Sequence, residues 1–515
     1  RPAAGANRAG RRDDRNAMNA TLVGDRGRRL VSEVDARMAG VTERGVGGLD
    51  DGFVPAELAQ LAGGSVQMRS DRPVLGAAVD SRVVERGNLF VALPGEHVDG
   101  HDFVGAALAA GAAAVLVARP VDAAVLAGAD ATVIVVPDPL GALQAIAAAW
   151  RLRFDPLVVG ITGSIAKTST KEAVAAVLGA AMPTLRNEGN QNNEIGLPLT
   201  VLRLRSEHRA AVLEMGMYVG GEIADLARIG RPEIGVVTAV HAVHLSRIGT
   251  IDAVERAKGE LIEALPDDGV AILNADDERV RRMASRTRAR TMTYGFADDA
   301  DVRAARVESR GTAGMTFELV TSSGRTLVSI PTLGRLAVHN GLAAAAVGVA
   351  AGLPLDAIAA ALARGWSAPH RGQLVAAGGV TIVDDTYNAS PGSVIAALEL
   401  LSGLPGRRIA VLGEMLELGD DHDAGHRRVG AAAAGIVDRL IAIGAGGERI
   451  AAGAREAGLD PAAIDVVPDR DAARNRLIDL VEPGDVVLAK ASRGIGLDVL
   501  VDELVAALGP TGPAA

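Results

Sequence analysis

The chain has 515 residues, room for about three domains of roughly 100 to 200 residues each, so a single small module is excluded. Apolar residues make up 49% and charged residues 23%, a balance that builds large soluble cores, while a formal charge of −10 and 2% aromatic residues exclude a general nucleic-acid binder and an aromatic single-strand platform. With no cysteine, disulfides, thiolate metal sites and cysteine nucleophiles are excluded, which fits a reducing cytoplasm.

Taken in chain order, the first 30 residues carry eight Arg against three Asp and no apolar block follows, so Arg11-Arg12 is not read as an export signal. Residues 1–50 are expected to be a disordered basic tail, with Met18 as a candidate start. A helix is expected over Pro55–Gly63, then strands over Val74–Val79 and Leu89–Leu93. The longest apolar stretch, Phe103–Ala118, has 16 residues, short of the roughly 18 a membrane span needs. Helix Ala106–Ala110, strand Ala114–Val117, strand Ala131–Val136 and helix Leu140–Arg151 give a βαβ rhythm that ends at a linker, Phe154-Asp155-Pro156. A second alternation has strands Leu157–Thr162, Ala211–Met215, Ile234–Val240 and Val270–Leu273 and an Ala-rich helix over Asn340–Ala351. A third has strands Val380–Asp384, Arg408–Leu412, Arg439–Ile443 and Val486–Ala489, a helix from Ser393 and a closing helix to Leu508, with a frayed end after Gly509. Alternating strands and helices imply parallel sheets, so the fold class is α/β with three α/β domains in series, over residues 51–154, 155–370 and 371–510.

The strongest chemical signal is Gly160-Ile161-Thr162-Gly163-Ser164-Ile165-Ala166-Lys167-Thr168-Ser169, directly after an apolar strand and opening a helix. In that context backbone N–H groups and the helix N-terminus bind phosphate oxygens, Lys167 reaches the terminal phosphates and the Thr168 hydroxyl serves Mg2+. A plain Gly-rich turn into a helix is the competing reading. At position 166, where phosphate comes close, a Cβ forces either a clash or a strained backbone costing on the order of 1 to 3 kcal/mol.

Together with further motifs, this loop resembles the Mur ligase family, the ATP-dependent amide-forming enzymes of peptidoglycan precursor synthesis, from about Leu58 to Leu508. The resemblance implies a UDP-sugar-binding N-terminal domain, a central P-loop ATPase domain with a mostly parallel sheet and a C-terminal Rossmann-like domain. Val79-Asp80-Ser81-Arg82, Gly87 to Gly95 and Asp99-Gly100-His101 look like the UDP-sugar module, with Ser81, Arg82 and His101 as substrate contacts; by spacing alone they read as a turn with a surface Arg. Glu188 to Pro198 resembles the Asn-rich loop, with Asn190, Asn192 and Asn193 facing substrate. Glu214 at a strand end, His244 and Lys258 match the metal-site positions, the lysine as a carbamate and with two Mg2+ sites expected; His241 is read as structural. Asn274-Ala275-Asp276-Asp277 is read as no more than a turn, and Asn340 as the adenine-region asparagine at the head of its helix.

Arg371, Asp385, Tyr387 and Asn388 match the elements around the nucleotide contributed by the third domain, with Arg371 neutralising γ-phosphate charge. Val411 to Gly419, including Gly413-Glu414-Met415, with His426 downstream resembles the third-domain signature of the branch that adds D-alanyl-D-alanine, and the Asp-Asn-Pro-Arg motif of the diaminopimelate-adding branch is missing. Lys490, Ser492 and Arg493 are assigned to the incoming amine, against an exposed basic turn as the alternative. The implied reaction joins UDP-N-acetylmuramoyl-tripeptide to D-alanyl-D-alanine through an acyl phosphate, using ATP and Mg2+ with closure excluding water, in a cytoplasmic monomer. Departures at Ala166, Ala239, Leu336, Ala337 and Ala491 keep open a binding or regulatory scaffold that has lost catalysis; a third reading, a superfamily amide ligase with another acceptor as in folate-polyglutamate or cyanophycin chemistry, is opposed by the first domain's UDP-sugar motifs.

Overall fold

The computed structural model describes residues 52–95, 98–241 and 245–509, without the side chains of 245 and 246. The basic tail, Met18, His244 and the end beyond Gly509 therefore lie outside the described residues. The chain forms two compact units, one from residues within 1–161 with 182–235 and 260–269, the other from 162–181, 236–259 and 270–515. Among the described residues no helix is long and apolar enough to cross a membrane.

The first unit holds a five-stranded sheet of Ser65–Met68 (β1), Ala77–Ala78 (β2), Leu89–Val91 (β3), Ala114–Val117 (β4) and Thr132–Val135 (β5), in the order β1-β5-β4-β3-β2. Only β1 runs antiparallel; β2 to β5 pair in parallel. Val115 and Val133 pack with Phe90 and Val104 on one side of it. The same unit carries Leu157–Thr162 (β6), Thr184–Arg186 (β7) and Ala210–Glu214 (β8), with β8 between the other two and parallel to both. The expected linker is no loose joint: Phe154 is buried with its ring 5.3 Å from Trp150.

After Ile234–Val237 (β9), the second unit has Val270–Asn274 (β10), Arg290–Gly295 (β11) and Val302–Ser309 (β12) in parallel, extended by an antiparallel run of Met315–Thr321 (β13) and Gly324–Ile330 (β14). Its other sheet comprises Gln373–Ala377 (β15), Val380–Asp384 (β16), Arg408–Leu412 (β17), Arg439–Ile443 (β18), Ile464–Val467 (β19) and Val486–Lys490 (β20), ordered β15-β16-β20-β17-β18-β19 and parallel except for β15. Alternate residues of β17 feed two cores, Ala410 and Leu412 on one face, Ile409 and Val411 on the other. From Ile409 to Leu412 the strand is apolar at every position, as burial on both faces requires.

Several expectations need correction. The strand expected over Val74–Val79 shrinks to Ala77–Ala78, with Val74 in a single bridge to Phe53. The strand expected to Val240 ends at Val237, because Thr238 and Ala239 turn to meet the phosphate loop. The Ala-rich helix runs Gly334–Ala350, so Asn340 lies inside it and not at its head. Strands β1, β7, β11 to β15 and β19 were not foreseen.

Candidate active site

The phosphate loop leaves β6 at Thr162, which is fully buried. A Cβ at Gly163 would run into the Thr238 hydroxyl, which donates to Ile165 O at 2.6 Å and to Thr162 O at 3.3 Å. Ser164 N donates to Ala239 O at 2.7 Å, and the Ser164 hydroxyl accepts from His241 N and donates to His241 O. Ala239 thus serves through its carbonyl, and His241 meets the loop through its backbone N–H and C=O. Gly160 lies inside β6, where a Cβ would come 2.8 Å from Leu261 Cδ1, so its smallness serves packing.

Ala166 has φ 65° and ψ 0°, the left-handed region that glycine enters without cost, and it sits at the N-cap of helix Lys167–Gly179 (α1) with no side-chain cap. The uncapped turn, carrying Lys167, Thr168 and Ser169, leaves helix N–H groups available to an anion. Lys167 Nζ donates to Gly163 O at 2.6 Å. One turn on, the buried Thr170 hydroxyl donates to Asn340 Oδ1 at 3.1 Å; Asn340 belongs to helix Gly334–Ala350 (α2).

The 274–277 turn does more than change direction. Asn274 Nδ2 donates to Thr238 O at 2.7 Å, Asp277 Oδ2 accepts from Val240 N at 2.8 Å, and His339 Nε2 lies 3.0 Å from Asn274 Oδ1 and 3.4 Å from Asp276 Oδ2. Burial opposes ionisation of Asp276, but hydrogen bonds from His339 and from Phe296 N–H outweigh it and hold the carboxyl below its usual range. The His339 ring packs 4.9 Å from Tyr294. His339 had no motif to reveal it.

In the first unit Glu214 ends β8 with 2% exposure. Its Oε1 accepts from Asn192 Nδ2 at 2.8 Å, and its buried Oε2 has no hydrogen-bond partner among the described residues. An orphaned carboxylate oxygen suits a hard divalent cation, so the donor set fits Mg2+. Asn187, also unforeseen, clamps both the N–H and the C=O of Glu214, at 2.8 and 3.0 Å. Asn193 Oδ1 caps the helix starting at Gly196, and Asn190 is exposed. Lys258, in the second unit, is 2% exposed and so is no solvated helix lysine.

At the sugar-site motif, Ser81 and Arg82 form a short 3-10 turn capped by Asp80, whose carboxyl the Arg82 guanidinium holds down at about 2. Arg82 is 85% exposed beyond that contact. His101 Nδ1 is buried with no hydrogen-bond partner among the described residues.

At the C-terminal ends of β16 and β20, Lys490 Nζ lies 2.7 Å from Asp385 Oδ2 and donates to Asn388 O at 2.9 Å. Burial pushes the Asp385 carboxyl up, against the pull of Lys490 and Arg371. Lys490 and Ser492 are 3% exposed, which removes the exposed-turn reading for both, and Ser492 Oγ accepts from Leu416 N at 2.9 Å. Arg493 is the exposed member. The guanidiniums of Arg371 and Arg493 lie 3.9 and 5.1 Å from the Tyr387 ring centroid. Asn388 Oδ1 accepts from Ala389 N. Ala491 is fully buried, its methyl filling the space beside Gly413.

Glu414, His422 and His426 gather beside this strand end. His426 Nε2 accepts from Met415 N at 2.9 Å and its Nδ1–H donates to His422 O at 2.6 Å, while Glu414 spans His422 Nε2 and Gly446 N. With these groups bonded to one another, the trio works as a clip on the 413–419 segment.

With this geometry in hand, three family models match: one described as "Mur ligase family, catalytic domain" over residues 74–151, "Mur ligase middle domain" over 161–348 and "Mur ligase, glutamate ligase domain" over 370–493. A UDP-N-acetylmuramoyl-tripeptide--D-alanyl-D-alanine ligase of Mycobacterium bovis is 39% identical, the match covering 88% of this chain and 97% of that one. The enzyme of the same name from Escherichia coli K12 is 36% identical over 87% and 97%. Among solved structures, MurF from Acinetobacter baumannii superposes with a TM-score of 0.78 at 30% identity, covering 88% and 99% of the two chains. MurF ligase from Thermotoga maritima, solved in complex with ADP, gives 0.74 at 28% identity over 84% and 98%.

Proposed function

The chain belongs to the Mur ligase family, and from that premise we propose that it joins D-alanyl-D-alanine to UDP-N-acetylmuramoyl-tripeptide at the expense of ATP, forming a C–N bond in peptidoglycan precursor synthesis. The observation that carries this reading is coverage: the match takes in 97% of the length of curated relatives that bear this activity's name.

The substrate's terminal carboxylate attacks the γ-phosphorus of ATP and displaces ADP, giving an acyl phosphate; the amine of D-alanyl-D-alanine then attacks the acyl carbon, loses a proton and expels phosphate. Lys167 and Arg371 stabilise the charge gathering on the transferred phosphoryl oxygens. The uncapped start of α1, with Thr168 and Ser169, receives the nucleotide phosphates, and Tyr387 with Asn388 borders the nucleotide. Asp385 fixes Lys490 at the strand end, and the exposed Arg493 is the member of that segment able to meet the incoming dipeptide. Glu214 would offer Mg2+ its unpartnered oxygen, and Thr168, His244 and Lys258, the lysine as its carbamate, are likewise assigned to Mg2+, which when bound neutralises phosphate charge. Ser81, Arg82 and His101 receive the UDP-sugar, and Asn190, Asn192 and Asn193 border the peptide. We assign the protein to the cytoplasm as a monomer.

ATP-dependent phosphate release with UDP-N-acetylmuramoyl-tripeptide and D-alanyl-D-alanine tests the reading, run beside Ala166→Gly. Turnover in both supports the ligase, and silence of both with every amino-acid and dipeptide acceptor sinks it. The left-handed Ala166 favours one second reading, a disabled ligase scaffold, which predicts turnover in the glycine variant alone.

A further inference from the structure

His370, the residue before Arg371, has φ 59°, a conformation that carries a steric cost glycine would avoid. Two contacts hold it there. Its Nδ1 lies 2.8 Å from Oδ2 of Asp384, a carboxylate only 3% exposed whose other oxygen accepts from the Thr386 hydroxyl at 2.6 Å and Thr386 N–H at 3.2 Å. Its carbonyl accepts from Tyr387 N–H at 3.1 Å. Both ends of His370 therefore grip the segment 384–387, and the next residue, Arg371, lays its guanidinium 3.9 Å from the centroid of the Tyr387 ring. Arg371 N donates to Ala368 O at 3.2 Å, so the turn that carries it is closed on its other side as well.

We propose that His370 is a positioning residue: through Asp384 and Tyr387 it clamps the 368–371 turn to the end of β16, so that the Arg371 guanidinium is held ready for the phosphate charge. This rests on the ligase reading above. The imidazole itself touches no substrate group in that reading; it acts through Arg371. A backbone strain retained at a single residue beside a working side chain is the pattern expected of preorganisation, because the surrounding contacts must over-determine the conformation. Without the grip, Arg371 is a long cation on a free turn, and its misplacement by an ångström removes charge stabilisation where it is needed.

The test compares kcat and KM of the full chain for wild type, His370→Gly and His370→Asn, each also made in an Arg371→Lys background. His370→Gly, which relieves the strain but frees the turn, is expected to lower kcat about ten- to hundredfold with KM for ATP and dipeptide within about twofold. His370→Asn tolerates the left-handed conformation and keeps an amide donor, so it recovers part of the loss. In the Arg371→Lys background the glycine substitution adds nothing further. An unchanged kcat in His370→Gly, or the same fold loss in both backgrounds, overturns the clamp. Wild type without turnover would count against the ligase reading instead, and the clamp is then decided by a crystal structure of His370→Gly: Arg371 displaced from Tyr387 supports it, Arg371 still stacked overturns it.

Discussion

Asn340 Oδ1 accepts the Thr170 hydroxyl at 3.1 Å, a buried polar bond between the helix that opens the phosphate loop and the Ala-rich helix 170 positions away. Because Asn340 is 4% exposed, Thr170→Val strands its oxygen without water, at a cost of about 1 to 3 kcal/mol. Thr170→Val combined with Asn340→Leu should cost less than the sum of the two singles, since neither partner is then left unsatisfied. Urea midpoints of the four proteins decide it, and strict additivity would show the bond to be idle.

Ala166→Gly should raise stability by about 1 kcal/mol, the left-handed penalty removed less glycine's extra freedom in the unfolded chain. It should also tighten ADP binding, as the loop no longer resists the shape phosphate requires. Calorimetric melting and titration with ADP check both; weaker binding in the variant would mean that the alanine preorganises the loop.

Removing Lys490 takes the nearer of two cations, Arg371 being the other, from the Asp385 carboxylate. Lys490→Met should destabilise by about 3 to 5 kcal/mol, and adding Asp385→Asn should recover most of that without restoring turnover. A double variant no more stable than the single would place the cost in packing.

The Glu414 and Asp423 carboxylates raise the His422 imidazole above its ordinary 6.5, against burial and the Arg449 charge. A raised folded value means stability fully present below 6.5 and lost as pH climbs through that raised value. Burial instead holds His426 low, so its contribution is present above 6.5 and fades as pH falls. The stability gap between wild type and His422→Gln should therefore be widest below pH 6.5 and narrow above it. A gap that widens with pH would reverse the assignment.

What the sequence made legible follows from burial. Strands β4, β6, β16, β17 and β18 are short, mostly apolar runs, and their bounds are readable to the residue. The β12 to β14 run was not, because residues such as Arg325 and Leu327 leave one face exposed and interrupt the apolar pattern. The start of α2 escaped notice because its N-cap, Leu333, makes no side-chain cap, so nothing polar marks the boundary. The phosphate loop, Glu214 and the Asp385 segment were legible as motifs. His339, Asn187 and His370 were not, since each acts through partners distant in sequence that only folding brings near.

Strand β20, the last made, lies between β16 and β17, in the middle of its sheet. On the ribosome, β16 and β17 must therefore wait with an empty lane between them, and Asp385 waits for a lysine 105 positions later. A premature stop ahead of Val486 would remove a keystone and not a fringe. Such shortened products should be substrates for quality-control proteases even though most of the protein's length has been translated.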